Sequence, residues 1–151
     1  MVSPENPRVV LSADVLLASV LIPHSDSAQL LNLILDGHII PVLDARLASL
    51  YSFVLGSEEL MLPHELVAGL LIKMHRISDI TSPSPLPRFS GNISAEDILY
   101  YQVASSAGGI PIIKNSLRYY LGSETARNIP VFTPSGFMEE LPSINLLINN
   151  H

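Results

Sequence analysis

The sequence predicts an α/β domain with three layers, α/β/α, around a central and mainly parallel sheet of about five strands. Two observations carry this expectation. Short apolar runs of strand length alternate with longer segments of helical periodicity, the pattern of strand–helix–strand units. Glycine stops and small polar caps punctuate the joints between them, as at Asp36-Gly37, Gly56 and Gly108-Gly109. The 151 residues fit a single domain, 1–151, with a core spanning about 8–141 and a C-terminal tail, 142–151.

Arg8 to Leu11 reads as a buried strand that turns into a helix beginning near Val15. Ser25 to Leu35 carries Leu30, Leu31, Ile34 and Leu35 as a helical stripe, ended by Asp36-Gly37. His38 to Leu43 is a short strand, and Pro41 points to an edge position because it cannot donate to a ladder. Asp44 is placed to cap a helix from Ala45 to Leu55, stopped by Gly56. Pro63 suits a first helical turn, and the segment to Ile77 places Leu66, Val67, Leu70, Leu71 and Met74 at helical spacing. Asp79-Ile80-Thr81 is a short strand leading into a proline-rich loop, Ser82 to Asn92. Ser94 caps the next helix, with Asp97 in the capping-box position, and Gly108-Gly109 ends it. Ile110 to Ile113 is an apolar strand, followed by a short helix containing Leu117, Tyr120 and Leu121. Ile129 to Thr133 is the last strand, and Pro134 opens a helix with Phe137 and Leu141 on one face.

Composition narrows the functional classes. Hydrophobic residues make up 48% and charged residues 15%, with a mean hydropathy of +0.37, so a homo-oligomer, dimer or higher, is expected to bury the excess. The apolar stretches fall short of the roughly 18 to 20 uncharged residues a bilayer span needs, and no basic n-region precedes the first one. No membrane association and a cytoplasmic location are therefore expected. With no cysteine, thiolate metal sites are excluded, and His24, His38, His64, His75 and His151 show no zinc-like spacing. Eight basic residues against fourteen acidic ones, a net charge of −6, argue against a broad nucleic-acid surface. Lys73, Arg76 and Arg88 suit at most a small basic lip.

The chemistry concentrates at Val9 to Leu21, VVLSADVLLASVL, where Ser12-Ala13-Asp14 interrupts an apolar run. A buried unpaired carboxylate is costly, so Asp14 should sit at an opening. The carboxyl end of a strand is where open α/β sheets bind ligands, though Ser12 or Asp14 equally suits a helix cap.

The order of elements and their junctions resembles a PIN domain, the nuclease fold of the VapC-like toxin halves of bacterial toxin–antitoxin pairs. The resemblance runs from Val9 to about Leu141. It lies in the segments VVLSADVLLASVL, LILDGHIIPVLDARLASLYSFVL, SSAGGIPIIKNSLRYY and VFTPSGFMEEL, set against family stretches such as VVLDTNVLVSALL and TPxEFL. It implies a metal-dependent phosphodiesterase in which three or four carboxylates hold Mg²⁺ or Mn²⁺.

Residue by residue, the resemblance implies an altered site. The family's first acid falls on Ser12, and its Asn two residues later falls on Asp14. The second acid falls on Leu50, with Asp44 near the start of the same helix as a weaker substitute. The third matches Asp97, which also suits capping. The fourth, a polar turn residue, matches Ser116, or Asn115 with a one-residue slip, and the family's Thr in that turn is Lys114. An ammonium there suggests an internal counter-ion for Asp14 and Asp97 in place of the metal.

The expected function is accordingly a degenerate PIN-like domain that binds RNA or a protein partner, such as an antitoxin-like protein, with little or no nuclease activity. One alternative is a working Mg²⁺- or Mn²⁺-dependent ribonuclease using Asp14, Asp97 and Asp44. Another is a structural oligomer in which Ile144 to Ile148 forms an arm on a neighbouring subunit.

Overall fold

The computed structural model describes residues 6–82, 94–115 and 128–149, with side chains up to residue 141. Five strands form one parallel sheet: β1 (Arg8–Leu11), β2 (Ile40–Leu43), β3 (Asp79–Ile80), β4 (Ile112–Ile113) and β5 (Val131–Phe132), in the order β3-β2-β1-β4-β5. The helices are α1 (Ala13–Leu21), α2 (Asp26–Leu35), α3 (Ala45–Leu55), α4 (His64–Ile77), α5 (Ala95–Ser106) and α6 (Pro134–Asn149), with a 3-10 turn at Glu58–Leu60. The fold is α/β, and its helices and sheet form an α/β/α sandwich.

Burial explains why β1 reads as an unbroken apolar run. Val9, Val10 and Leu11 are all buried, and successive strand side chains point to opposite faces, so both faces of the sheet are covered. Leu16, Leu30, Ile34, Leu47, Val103 and Phe137, all on helices, supply the facing layers. α5 packs on β1, β2 and β4, while α3 and α4 pack on β2 and α6 on β5 and α2.

Several boundaries differ from expectation. α1 starts at Ala13 rather than near Val15, since Ser12 has extended backbone and its hydroxyl accepts from the Val15 N–H. β2 is not an edge strand: it lies between β1 and β3 despite Pro41. β3 pairs with β2 only from Val42 onward, and the Ile40 N–H is directed to Pro7 on the β1 side. Donors alternate sides along a strand, so the N–H that Pro41 lacks would have faced a position where β3 has not begun. β3, β4 and β5 are each two residues long, shorter than their apolar runs suggest. Part of the expected C-terminal tail is helical, because α6 continues through Pro142 to Asn149. All but Ser82 of the proline-rich loop expected from Ser82 to Asn92, Arg88 included, lies outside the described residues, as does the short helix expected around Leu117 and Tyr120. Among the described residues no helix is long and apolar enough to cross a membrane.

Candidate functional site

Parallel pairing brings the carboxyl ends of all the strands to one edge of the sheet. The chain steps outward from β1 to β2 and β3, then returns to place β4 on the other side of β1. The gap between β1 and β4 is thus the topological switch point, where α/β sheets hold their ligands. Ser12 and Lys114 stand at its two sides: the Ser12 N–H bonds the Ile113 carbonyl at 2.9 Å and the Lys114 N–H bonds Phe132 at 2.9 Å.

Ser12 is buried and Asp14 exposed. The Ser12 hydroxyl donates to Asp14 Oδ1, which also accepts from the Val15 N–H at 3.0 Å. Both residues therefore cap α1, and Asp14 sits at an opening as its cost of burial requires. Asp97 approaches from the start of α5, where Ser94 accepts from the Asp97 N–H at 3.1 Å and donates to Asp97 Oδ2 at 3.0 Å. The other carboxylate oxygen, Oδ1, receives the ammonium of the buried Lys114. Capping and pairing coexist in one side chain, and the counter-ion inferred from sequence is present for Asp97.

Two tyrosines fix the turn between Ser12 and its neighbours. Tyr51 on α3 donates to the Leu11 carbonyl at 2.7 Å, and Tyr100 on α5 accepts from the Ala13 N–H at 2.8 Å. Those are backbone groups that a strand-to-helix turn leaves without ladder partners. Burial pushes both phenols well above their ordinary range. Nearby Glu96, Asp14 and Asp97 push Tyr100 further in the same direction, and Tyr100 itself does so for Tyr51. Tyr101 is also raised, by burial and then by Asp97. Asp14, Glu96 and Asp97 thus share the surroundings of the Tyr100 hydroxyl.

Glu96 and the two clamping tyrosines escaped the sequence reading. Their signal was modest: Tyr51 and Tyr100 fall on buried helical faces, where a hydroxyl needs a partner, and Glu96 lies one turn before Tyr100.

Other expected residues have different roles or surroundings. Asp44 is buried at the start of α3, where Oδ1 accepts from Leu47 N at 3.0 Å and Oδ2 receives Arg46 at 2.7 and 3.1 Å. Arg46 in turn donates to Gln102 at 2.8 Å. Both oxygens of Asp44 are thereby engaged at the start of α3. Leu50 packs against the core, Asn115 is exposed, and Ser116 lies outside the described residues.

This donor set does not fit a PIN-type cation site. A hard divalent ion requires several charged oxygens, whereas of the residues that the resemblance would use, Ser12 offers an uncharged hydroxyl, Leu50 offers no donor, and an ammonium covers one oxygen of Asp97. Among the described residues no three Asp, Glu or His side chains are arranged to hold a metal. The fold and edge together define an α/β domain with an ion-paired polar cluster at its switch point. No protein-family model matches the chain, and neither does any curated protein.

Proposed function

We propose that this chain is a degenerate PIN-like domain whose role is binding, with little or no nuclease activity. The observation that carries the reading is the Lys114–Asp97 ion pair, which puts a fixed positive charge where the family resemblance would put a metal. The net charge of −6 favours a protein partner over RNA, since it leaves few cations to neutralise phosphates. The cytoplasm is the proposed setting.

A second reading, a Mg²⁺- or Mn²⁺-dependent ribonuclease with a rearranged site, draws support from Asp14, Glu96 and Asp97 gathered around Tyr100. Titration calorimetry with Mn²⁺ and Mg²⁺, followed by incubation with RNA, separates the two. The binding-only reading expects no heat of binding up to about millimolar metal for the native chain. It also expects any residual Mn²⁺ affinity to be greater in Lys114→Ala, checked by circular dichroism to be folded, than in the native chain. Metal binding by the native chain together with RNA cleavage overturns it in favour of the nuclease.

A further inference from the structure

α4 presents an outer face that its own domain does not cover. Leu66 and Ile72 are 52% and 55% exposed, and Gly69 lies midway between them. A glycine inside a helix is unfavourable, and among the described residues nothing calls for one, because a Cβ at Gly69 would meet nothing within 4 Å. The residues around it are arranged symmetrically. Leu66 and Ile72 stand three positions before and after Gly69, while Glu65 and Lys73 stand four before and after. Spacings of three and four place all of them on the face that Gly69 centres.

We propose that this face joins two copies of the chain through an antiparallel pairing of α4 with α4 of the second copy, crossing at Gly69 on the two-fold axis. In that arrangement each residue faces the one equally far from Gly69 on the other side. Leu66 meets Ile72 of the second copy, and Glu65 meets Lys73, so every apolar contact and every ion pair occurs twice. Gly69 meets itself, and the missing side chain lets the two backbones approach closely. Parallel pairing would instead set Glu65 against Glu65 and Lys73 against Lys73. The charge order of the helix, acid in its first turn and Lys73 and Arg76 toward its end, therefore selects the antiparallel arrangement, as do the helix dipoles. Beside Ile72, an apolar groove of about 350 Å³ between α3 and α4, lined by Ala48, Ser52 and Leu71, adds contact surface for the second copy. This pairing does not depend on what the polar edge binds.

Sedimentation of the full chain tests it directly. The native protein is expected to dimerise, and Gly69→Gln, whose Cβ meets nothing within 4 Å of the described domain, to be monomeric with a native circular dichroism spectrum. Glu65→Lys and Lys73→Glu are each expected to weaken the dimer about ten-fold or more, and the double exchange to restore it, because both pairs are then reversed together. The native chain has no cysteine, so Gly69→Cys provides an independent geometric readout. Cysteines on the two-fold axis lie within disulfide reach and should cross-link on mild oxidation, whereas Asn32→Cys on exposed α2 should not. A monomeric native chain, a dimeric Gly69→Gln, a double exchange as weak as the single variants, or no cross-link at Gly69→Cys would each overturn the proposal.

Discussion

Asp44 and Asp97 stand at the same edge of the sheet, each beside a cation, and the two pairs are built in opposite ways. Asp44 is 0% exposed and meets Arg46, two residues along, whose side chain is 42% exposed. Asp97 and Lys114 are 13% and 10% exposed, and they come from elements seventeen residues apart. The first pair belongs to the start of one helix: Asp44 caps α3, and Arg46 closes over the remaining oxygen. The second ties α5 to the end of β4, across the switch point. Local pairing secures a helix boundary, whereas the distant pairing joins α5 to the end of β4.

The largest effect should come from removing one member of the distant pair. Lys114→Met removes the cation that Asp97 Oδ1 holds in a nearly buried setting, a change that costs about 3 kcal/mol in comparable settings. Pairing it with Asp97→Leu should recover most of that loss, because an apolar pair of similar volume is often as stable as a buried ion pair. Urea unfolding at neutral pH measures both. A loss under about 1 kcal/mol for Lys114→Met would mean that water reaches the pair as it does an exposed one, and the contrast with Asp44 would collapse.

Asp44→Ala should cost somewhat less, about 2 kcal/mol, through loss of the α3 cap at Leu47. Arg46→Ala should cost less than Lys114→Met, since the half-exposed guanidinium leaves room for water to take its place. If Arg46→Ala proves the more damaging, the Asp44 pair and its extension to Gln102 are tertiary devices after all.

The pattern of what could be read in advance follows the same division. The caps at Ser12, Asp44 and Ser94 are legible because each acts over three residues and leaves its mark in local sequence, whereas Ser25, read as the first helical residue, is the cap of α2. The parallel α/β architecture is legible because β1 is buried on both faces and its neighbours alternate with helices. The placement of β2 was not, since Pro41 argues locally for an edge and only the late start of β3 makes an interior position possible. Lys114 beside Asp97 followed from the register of the family resemblance, not from any spacing rule. The Tyr51 and Tyr100 clamp left only a modest signal, two tyrosines on buried helical faces, because their shared target depends on α3 and α5 converging on the same turn from separate parts of the chain.

That clamp supplies the smallest and most specific test. Tyr51→Phe removes a buried hydrogen bond to the Leu11 carbonyl and should cost about 1 kcal/mol at neutral pH. Its signature lies at high pH. Burial raises both phenols in the folded chain, while in the unfolded chain tyrosine ionises near about 10. Below that pH both states hold the proton and the contribution is intact. Above it the unfolded state releases the proton first, so stability falls as pH rises toward the raised folded-state values. Unfolding midpoints measured from pH 9 upward should therefore decline in the native chain and decline less steeply in Tyr51→Phe. Equal slopes in the two proteins would show that Tyr51 ionises as readily in place as in the open chain, and that the strand end between Asp44 and Asp97 is held by something other than its hydroxyl.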